Sequence, residues 1–355
     1  MKYPAFHTPS ALLKAALIAL VLSLISLPFL FSANSQTRPR TASSQPSSAR
    51  PSGTPEDTVK VDVDLVTVDA LVLQKKTARV VGDLQKADFA VAEDGVKQTI
   101  THFSQDSLPI SMLLLVDRGG CLDPFGTEVR AAARHAIAEL KPTDELALMT
   151  YHDEVELLQP FTRDRQLIYQ GLESVPPHDE EAHHCLNTAF GEAAAYIQNA
   201  GNPIGRRVIV VITGVTRDFD CLSGPSSKSA SQAVYESGAV VSAIVPKSSA
   251  QRMENAVMRW ATRLGKLGGA PYIDVQTLAN ETGGEILEDK PENLSSTFAT
   301  LINHLRTRYN LAFVSTNKKR DGTTRKLKID VASGAQKARG KLVVKARRSY
   351  VAPRT

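Results

Sequence analysis

ISMLLLVDRGGC, residues 110–121, is an almost unbroken apolar run that ends in an aspartate and then turns on glycine. A short run of this kind predicts a strand buried on both faces, as in the centre of a parallel α/β sheet. Asp117 then falls at the strand's carboxyl end, where open α/β sheets place their binding sites. VIVVI at Val208–Ile212 predicts a second fully buried strand.

Working outward, strand and helix alternate. A helix is predicted over Thr127–Leu140, with Val129, Ala132, Ala133, Ala136, Ile137 and Leu140 on one face. Leu146–Tyr151 and Val155–Phe161 read as a hairpin around His152–Glu154, followed by a short helix over Arg165–Ser174. An alanine-rich helix over Asn187–Asn199 ends at Gly201-Asn202-Pro203. Helix Ser229–Ser237, strand Val240–Val245, helix Val275–Glu281, strand Glu285–Leu287 and helix Leu294–Arg306 complete the series. This alternation predicts a doubly wound, mostly parallel sheet with helices on both faces, over residues 107–308.

Both flanks change to period two. VKVDVDLVTVDALVL from Val59, then Val80–Val81, Phe89–Glu93 and Val96–Phe103, predict three or four antiparallel strands within residues 58–106. Tyr309–Val314, Arg325–Val331 and Lys341–Val344 predict strands within residues 309–353, separated by turns at Asp321-Gly322 and Ser333-Gly334. They are too few to bury a core alone. They are expected to pack with the first set as a second, smaller antiparallel β domain built from both flanks. No internal repeat is visible.

The 355 residues are 42% hydrophobic and 22% charged, ordinary for globular proteins. The net charge of +5 includes Lys2 and Lys14 and says little about nucleic acid. Those lysines precede the apolar Ala15–Phe31 and the small residues Ser32-Ala33-Asn34-Ser35. That order predicts a secretory signal within residues 1–35, cleaved near Ser35, with an uncleaved membrane anchor as the alternative. No cysteine lies near the cleavage point to take a bacterial-type lipid. Either way the remainder is expected outside the cytoplasm: periplasmic, secreted or membrane-anchored. Residues 36–57, rich in Ser, Pro, Thr and Arg, read as a disordered linker.

ISMLLLVD together with VIVVITG resembles the von Willebrand factor type A domain, a doubly wound fold whose strand tips hold a divalent ion. The flanking stretches DFAVAEDGVKQTITHFSQDSLPISMLLLVD, LANETGGEIL and YNLAFVSTNKKRDGTTRKLKIDV resemble the VWFA-related domain family of exported bacterial proteins, of acidobacterial type. The resemblance covers Val59 to Pro353 and implies a binding or scaffolding module. It also implies a metal-ion-dependent adhesion site: Asp-x-Ser-x-Ser after the first strand, a threonine opening a later helix, and an aspartate after the next buried strand. Asp117 and Thr188 match. Gly119 and Cys121 stand at the serine positions, and Gly214 at the second aspartate. The site reads as degenerate, because hard cations need several oxygen ligands, and Mg²⁺ a near-octahedral set. Asp123, Asp218 and Asp220 have no supporting spacing. No divalent-cation cofactor such as Mg²⁺ is expected.

Cys121, Cys185 and Cys221 fall in three loops predicted to meet at this rim. In an oxidising compartment a disulfide between two of them is expected, Cys185–Cys221 being the first choice, though connectivity is not fixed by sequence. His183 and His184 beside Cys185 offer soft ligands for Zn²⁺ or Cu⁺. Adjacent side chains diverge, however, and the spacing of a zinc site is missing; an exposed polar loop is the plainer reading.

The run Lys318–Arg348 holds twelve Lys or Arg against Asp321 and Asp330. It offers a basic face for an anionic envelope polymer or acidic partner. Alternation of Lys326, Leu327, Lys328 and Ile329 instead suggests a solvated strand face. Aromatic interleaving for single-stranded nucleic acid is scarce. His178-Asp179-Glu180-Glu181 reads as a solvated acidic loop, and Trp260 with Met253, Val257 and Leu264 as a core or docking stripe. Neither a G-x-S-x-G nucleophile, a phosphate loop nor a supported carboxylate pair is present. The expectation is a non-enzymatic module binding an unidentified protein or surface ligand. The first alternative is a structural or assembly component of the cell envelope using the basic C-terminal face, and behind it stand a soft-metal-binding protein or a metal-dependent enzyme. Nucleic acid is not an expected partner.

Overall fold

The computed structural model describes residues 65–119, 122, 126–177, 183–215, 224–247 and 273–354. The leader, the linker, residues 58–64, Cys121, Asp123, the His178–Glu181 loop, Asp218, Asp220, Cys221 and the Trp260 stripe lie outside the described residues. Among the described residues no helix is long and apolar enough to cross a membrane.

The central element is β5 (Ile110–Asp117), buried at all eight positions. Its even-numbered residues Ile110, Met112, Leu114 and Val116 enter one core, and Leu113 and Leu115 the other. Two-faced burial is what a continuous apolar run requires, each buried leucine contributing about 1.5–3 kcal/mol. β6 (Glu145–Tyr151) and β8 (Arg206–Ile212) flank β5 in parallel, Asp117 lying opposite Tyr151. β9 (Val240–Pro246) and β10 (Ile286–Asp289) extend the parallel run, while β7 (Val155–Thr162) closes the other edge antiparallel to β6. The strand order is β10-β9-β8-β5-β6-β7. The chain builds outward from β5 through β6 and β7, then returns to build the other way from β8. The tips of β5 and β8 therefore border the topological switch point.

Helices α1 (Gly126–Ala138), α2 (Arg165–Glu173) and α6 (Leu294–Arg306) cover one face. Helices α3 (Leu186–Tyr196), α4 (Ser227–Ser237) and α5 (Val275–Thr282) cover the other. Asp164, Ser226 and Asp274 cap α2, α4 and α5 by accepting from backbone N–H groups of the first turn. Gly283 ends α5 at φ +82°, where an added Cβ would lie 2.5 Å from the Ala346 backbone, so only glycine fits.

The flanks form two four-stranded sheets over one core. β1 (Leu65–Gln74) lies between β11 (Tyr309–Val314) and β13 (Leu342–Ala346), with β4 (Ile100–Ser104) beyond β11. β12 (Thr324–Val331) lies between β2 (Phe89–Glu93) and β14 (Ser349–Val351), with β3 (Val96–Gln98) beyond β2. Strands from both ends of the chain thus pair directly. Phe89, Phe103 and Tyr309 cluster between them, with ring centroids 5.0–5.8 Å apart.

Three local expectations are corrected. Val96–Phe103 is two strands, not one: β3 pairs with β2, while β4 crosses to β11. Val80 makes only an isolated bridge to Leu73. Ser333-Gly334 opens a short helix, α7 (Ser333–Arg339), that buries Ala335, instead of forming a turn.

At the amino edge of the α/β sheet, Arg206 ties β8 to the flank strands through Asp69 Oδ2 at 2.7 Å and Asn310 Oδ1 at 3.0 Å. Arg308 is fully buried nearby and donates to Gly283 O at 2.8 Å. Burial, and then the charge of Arg206, push its guanidinium down to about 10.

Candidate functional site at the strand tips

β5 delivers Asp117 to the carboxyl rim with its side chain wholly buried. Register places Tyr151 at the end of β6 beside it, and Thr213 follows the last residue of β8. The segment before α3 brings in His184. These elements are separated in sequence, so the cluster exists only through the sheet order.

Asp117 Oδ1 accepts from Gly119 N at 2.9 Å, and Oδ2 from Thr213 Oγ1 at 2.6 Å and Tyr151 OH at 3.1 Å. His184 Nδ1 lies 2.9 Å from Oδ1 and 3.1 Å from Oδ2, straddling the carboxylate. Burial pushes the Asp117 carboxyl upward. It is outweighed by the hydrogen bond and charge of His184, then by Thr213 and Gly119, so the group lies below its ordinary value.

Gly119 makes room for this arrangement. A Cβ there would lie 2.6 Å from both Nδ1 and Cε1 of His184. The hydroxyl residue that the family pattern puts at this position and the imidazole seen here compete for the same space. A cation shared by both Asp117 oxygens would also have to displace the ring.

The other positions are spread along the rim. Thr188 stands half-buried in the first turn of α3, where a Cβ on Gly224 would collide with its Oγ1. Among the described residues Thr188 makes no hydrogen bond to the Asp117 cluster. Gly214 follows Thr213 and supplies no side chain. His183 diverges from His184 and meets Asp153 in the β6–β7 hairpin, Nδ1 to Oδ1 2.9 Å. That contact holds the Asp153 carboxyl below its usual value against a small effect of burial. Cys185 is buried, and its N–H donates to His152 O at 3.2 Å. Among the described residues no group of three His, Cys, Asp or Glu side chains converges as a metal site would require.

Sequence alone singles out neither Tyr151, Asp153 nor Thr213 as a site residue. Matching the ends of the predicted parallel strands would have pointed to Tyr151; nothing local points to the pairing of His184 with Asp117, 67 residues apart.

A cavity of about 300 Å³ opens beside Asp117, lined by Arg118, Leu122, Val129, Arg130 and Pro176 among others. A larger cleft, about 610 Å³, lies at the opposite edge near Arg206 and Arg347 and shares nothing with the rim.

Several basic residues of the C-terminal run are already paired within the chain. Arg325 is buried against Glu93 at 3.1 Å, Arg339 pairs with Asp83 at 3.0 Å, and Arg347 donates to Gly238 O at 2.7 Å. Lys328 does stand on a solvated strand face, its side chain 75% exposed.

Residues 112–216 match the family model described as von Willebrand factor type A domain. No curated protein matches the chain. Among solved structures, a von Willebrand factor type A protein from Catenulispora acidiphila is 9% identical at a TM-score of 0.42, over 83% of this chain and 75% of that one. An aerotolerance-related membrane protein from Bacteroides fragilis is 15% identical at a TM-score of 0.39, over 55% of this chain and 98% of that one. Proximal thread matrix protein 1 from the mussel byssus is 10% identical at a TM-score of 0.42, over 57% of this chain; the chain spans about half (49%) of that protein's length. The family match takes in β8, nearly all of β5, and every member of the Asp117 cluster: a von Willebrand factor type A domain lies within this chain, over residues 112–216.

Proposed function

We propose that the chain is an exported, non-enzymatic interaction module whose strand-tip rim engages a protein or surface ligand without a divalent cation. The observation that carries this reading is the saturation of Asp117. Both carboxylate oxygens already accept from protein donors, and the face a metal would take is covered by His184. Of the remaining family positions, Gly119 and Gly214 offer no side-chain oxygen, Cys121 carries sulfur, and Thr188 adds a single hydroxyl, so these donors do not fit a hard cation.

Ligand binding then rests on loop shape and on the cavity beside Asp117, where Arg118 and Arg130 stand over apolar walls. The rim is favoured over the basic run because Arg325, Arg339 and Arg347 are already engaged. The leader at Ala15–Phe31 supports export. A disulfide from Cys185 to Cys221 or Cys121 belongs to the same reading. Cys185 is buried at the rim. Gly224 and Gly119, near the other two cysteines in sequence, abut Thr188 and His184 on either side of it.

The test is crosslinking capture from envelope fractions with and without EDTA, comparing wild type with Arg118→Glu/Arg130→Glu. Capture unchanged by EDTA and lost in the double variant is expected. Capture abolished by EDTA and restored by Mg²⁺ contradicts the reading. Mass mapping of non-reduced peptides is expected to show one cysteine pair; three free thiols would remove the disulfide.

A further inference from the structure

Two consecutive histidines leave the same turn in different directions, and each finds an aspartate on a different strand tip. His184 meets Asp117 at the end of β5, and His183 meets Asp153 in the β6–β7 hairpin. The backbone fastens the same turn to that hairpin, with His183 N 3.3 Å from Asp153 Oδ1 and Cys185 N 3.2 Å from His152 O. α3 begins immediately afterwards, at Leu186. The turn therefore links the tip of β5, the β6–β7 hairpin and the start of α3.

We infer that the His183–His184 turn is a protein-borne clamp standing in for a bound cation, with His184 filling the cation's place and tying β5, the hairpin and α3 together. A carboxylate removed from water needs a cation or several donors to offset desolvation. Asp117 is wholly buried and receives an imidazole, two hydroxyls and a backbone N–H, a set that engages both carboxylate oxygens without a metal. Gly119 is the other half of the exchange. A side chain there would run into the ring, so glycine at 119 and histidine at 184 form a matched pair. The two histidines differ in weight. The His183 and Asp153 side chains are 52% and 47% exposed, so water screens that contact. The His184 and Asp117 side chains are 22% and 0% exposed, so this contact carries the clamp.

The inference rests on the proposed metal-independence of the rim, but its test reads metal uptake and unfolding, not capture, so either can fail alone. Mn²⁺ is added to the full chain and followed by electron paramagnetic resonance, alongside thermal unfolding. Wild type is expected to leave the spectrum of the free ion and to unfold at the same temperature with or without Mn²⁺. His184→Ala is expected to lower the midpoint by roughly 3–6 °C, and His183→Ala by less than about 2 °C. Stoichiometric Mn²⁺ uptake by wild type that disappears in Asp117→Asn overturns the inference, as does a His184→Ala midpoint equal to wild type. Should His184→Ala fail to fold, Gly119→Ser serves instead: its imidazole ¹⁵N signals for His184 are expected to move, and wild-type signals would overturn the matched exchange.

Discussion

Two buried carboxylates in this molecule are satisfied in nearly the same way. In the flank core, Glu93 receives Arg325 Nη1 at 3.1 Å, Tyr350 OH at 2.8 Å and Ser315 Oγ at 2.6 Å. At the rim, Asp117 receives His184 Nδ1 at 2.9 Å, Tyr151 OH at 3.1 Å and Thr213 Oγ1 at 2.6 Å. Each set holds a basic side chain, a phenol and an aliphatic hydroxyl. The difference is position. Arg325 and Glu93 side chains are 3% and 2% exposed between two sheets, whereas the His184 side chain is 22% exposed at the switch point beside a cavity. A satisfied buried carboxylate is thus no mark of function by itself; the open strand tips around Asp117 are what single it out.

The comparison breaks most visibly at Arg325. Burial opposes the Arg325 charge, but hydrogen bonds to Glu93 and Tyr350 outweigh it and raise its pKa. Arg325→Ala leaves Glu93 buried without its cation, and a loss of about 3–5 kcal/mol in urea unfolding is expected. A loss under about 1 kcal/mol would mean the flank pair is not the dry interaction described. His184→Ala is expected to cost about half as much in the same assay, because water can reach the vacated side of Asp117. Equal losses would erase the distinction between the two sites. Thr213→Val removes one donor from a buried acceptor that keeps others, with an expected cost of about 1–2 kcal/mol. Its flank counterpart Ser315→Ala is expected to match it, and a clear mismatch would sharpen the comparison by showing which network relies on its hydroxyl.

Much of the frame was open to reading because its physics is local. β5 is apolar from Met112 to Val116 and β8 from Val208 to Ile212, and Leu327, Ile329 and Val331 alternate with exposed neighbours on β12, so burial pattern follows from residue order. The β-flank details resisted for the opposite reason. Nothing in Val96–Ser104 says that its two halves belong to different sheets; that follows from which strands lie waiting on either side. Arg325 sits within an alternating basic stretch, and only the return of β2 supplies the Glu93 that lets it turn inward. At the rim, Asp117 was visible as a strand-end acid, and Gly119 as a departure from the family's pattern. What fills the gap was not, because His184 reaches Asp117 from 67 residues away across the sheet order.

The most direct measurement is an anomalous difference map from crystals of the full chain grown in Mn²⁺. The account predicts imidazole density within hydrogen-bond distance of both Asp117 oxygens and no anomalous peak beside them. A peak at coordination distance from Asp117, with His184 swung away, would contradict it.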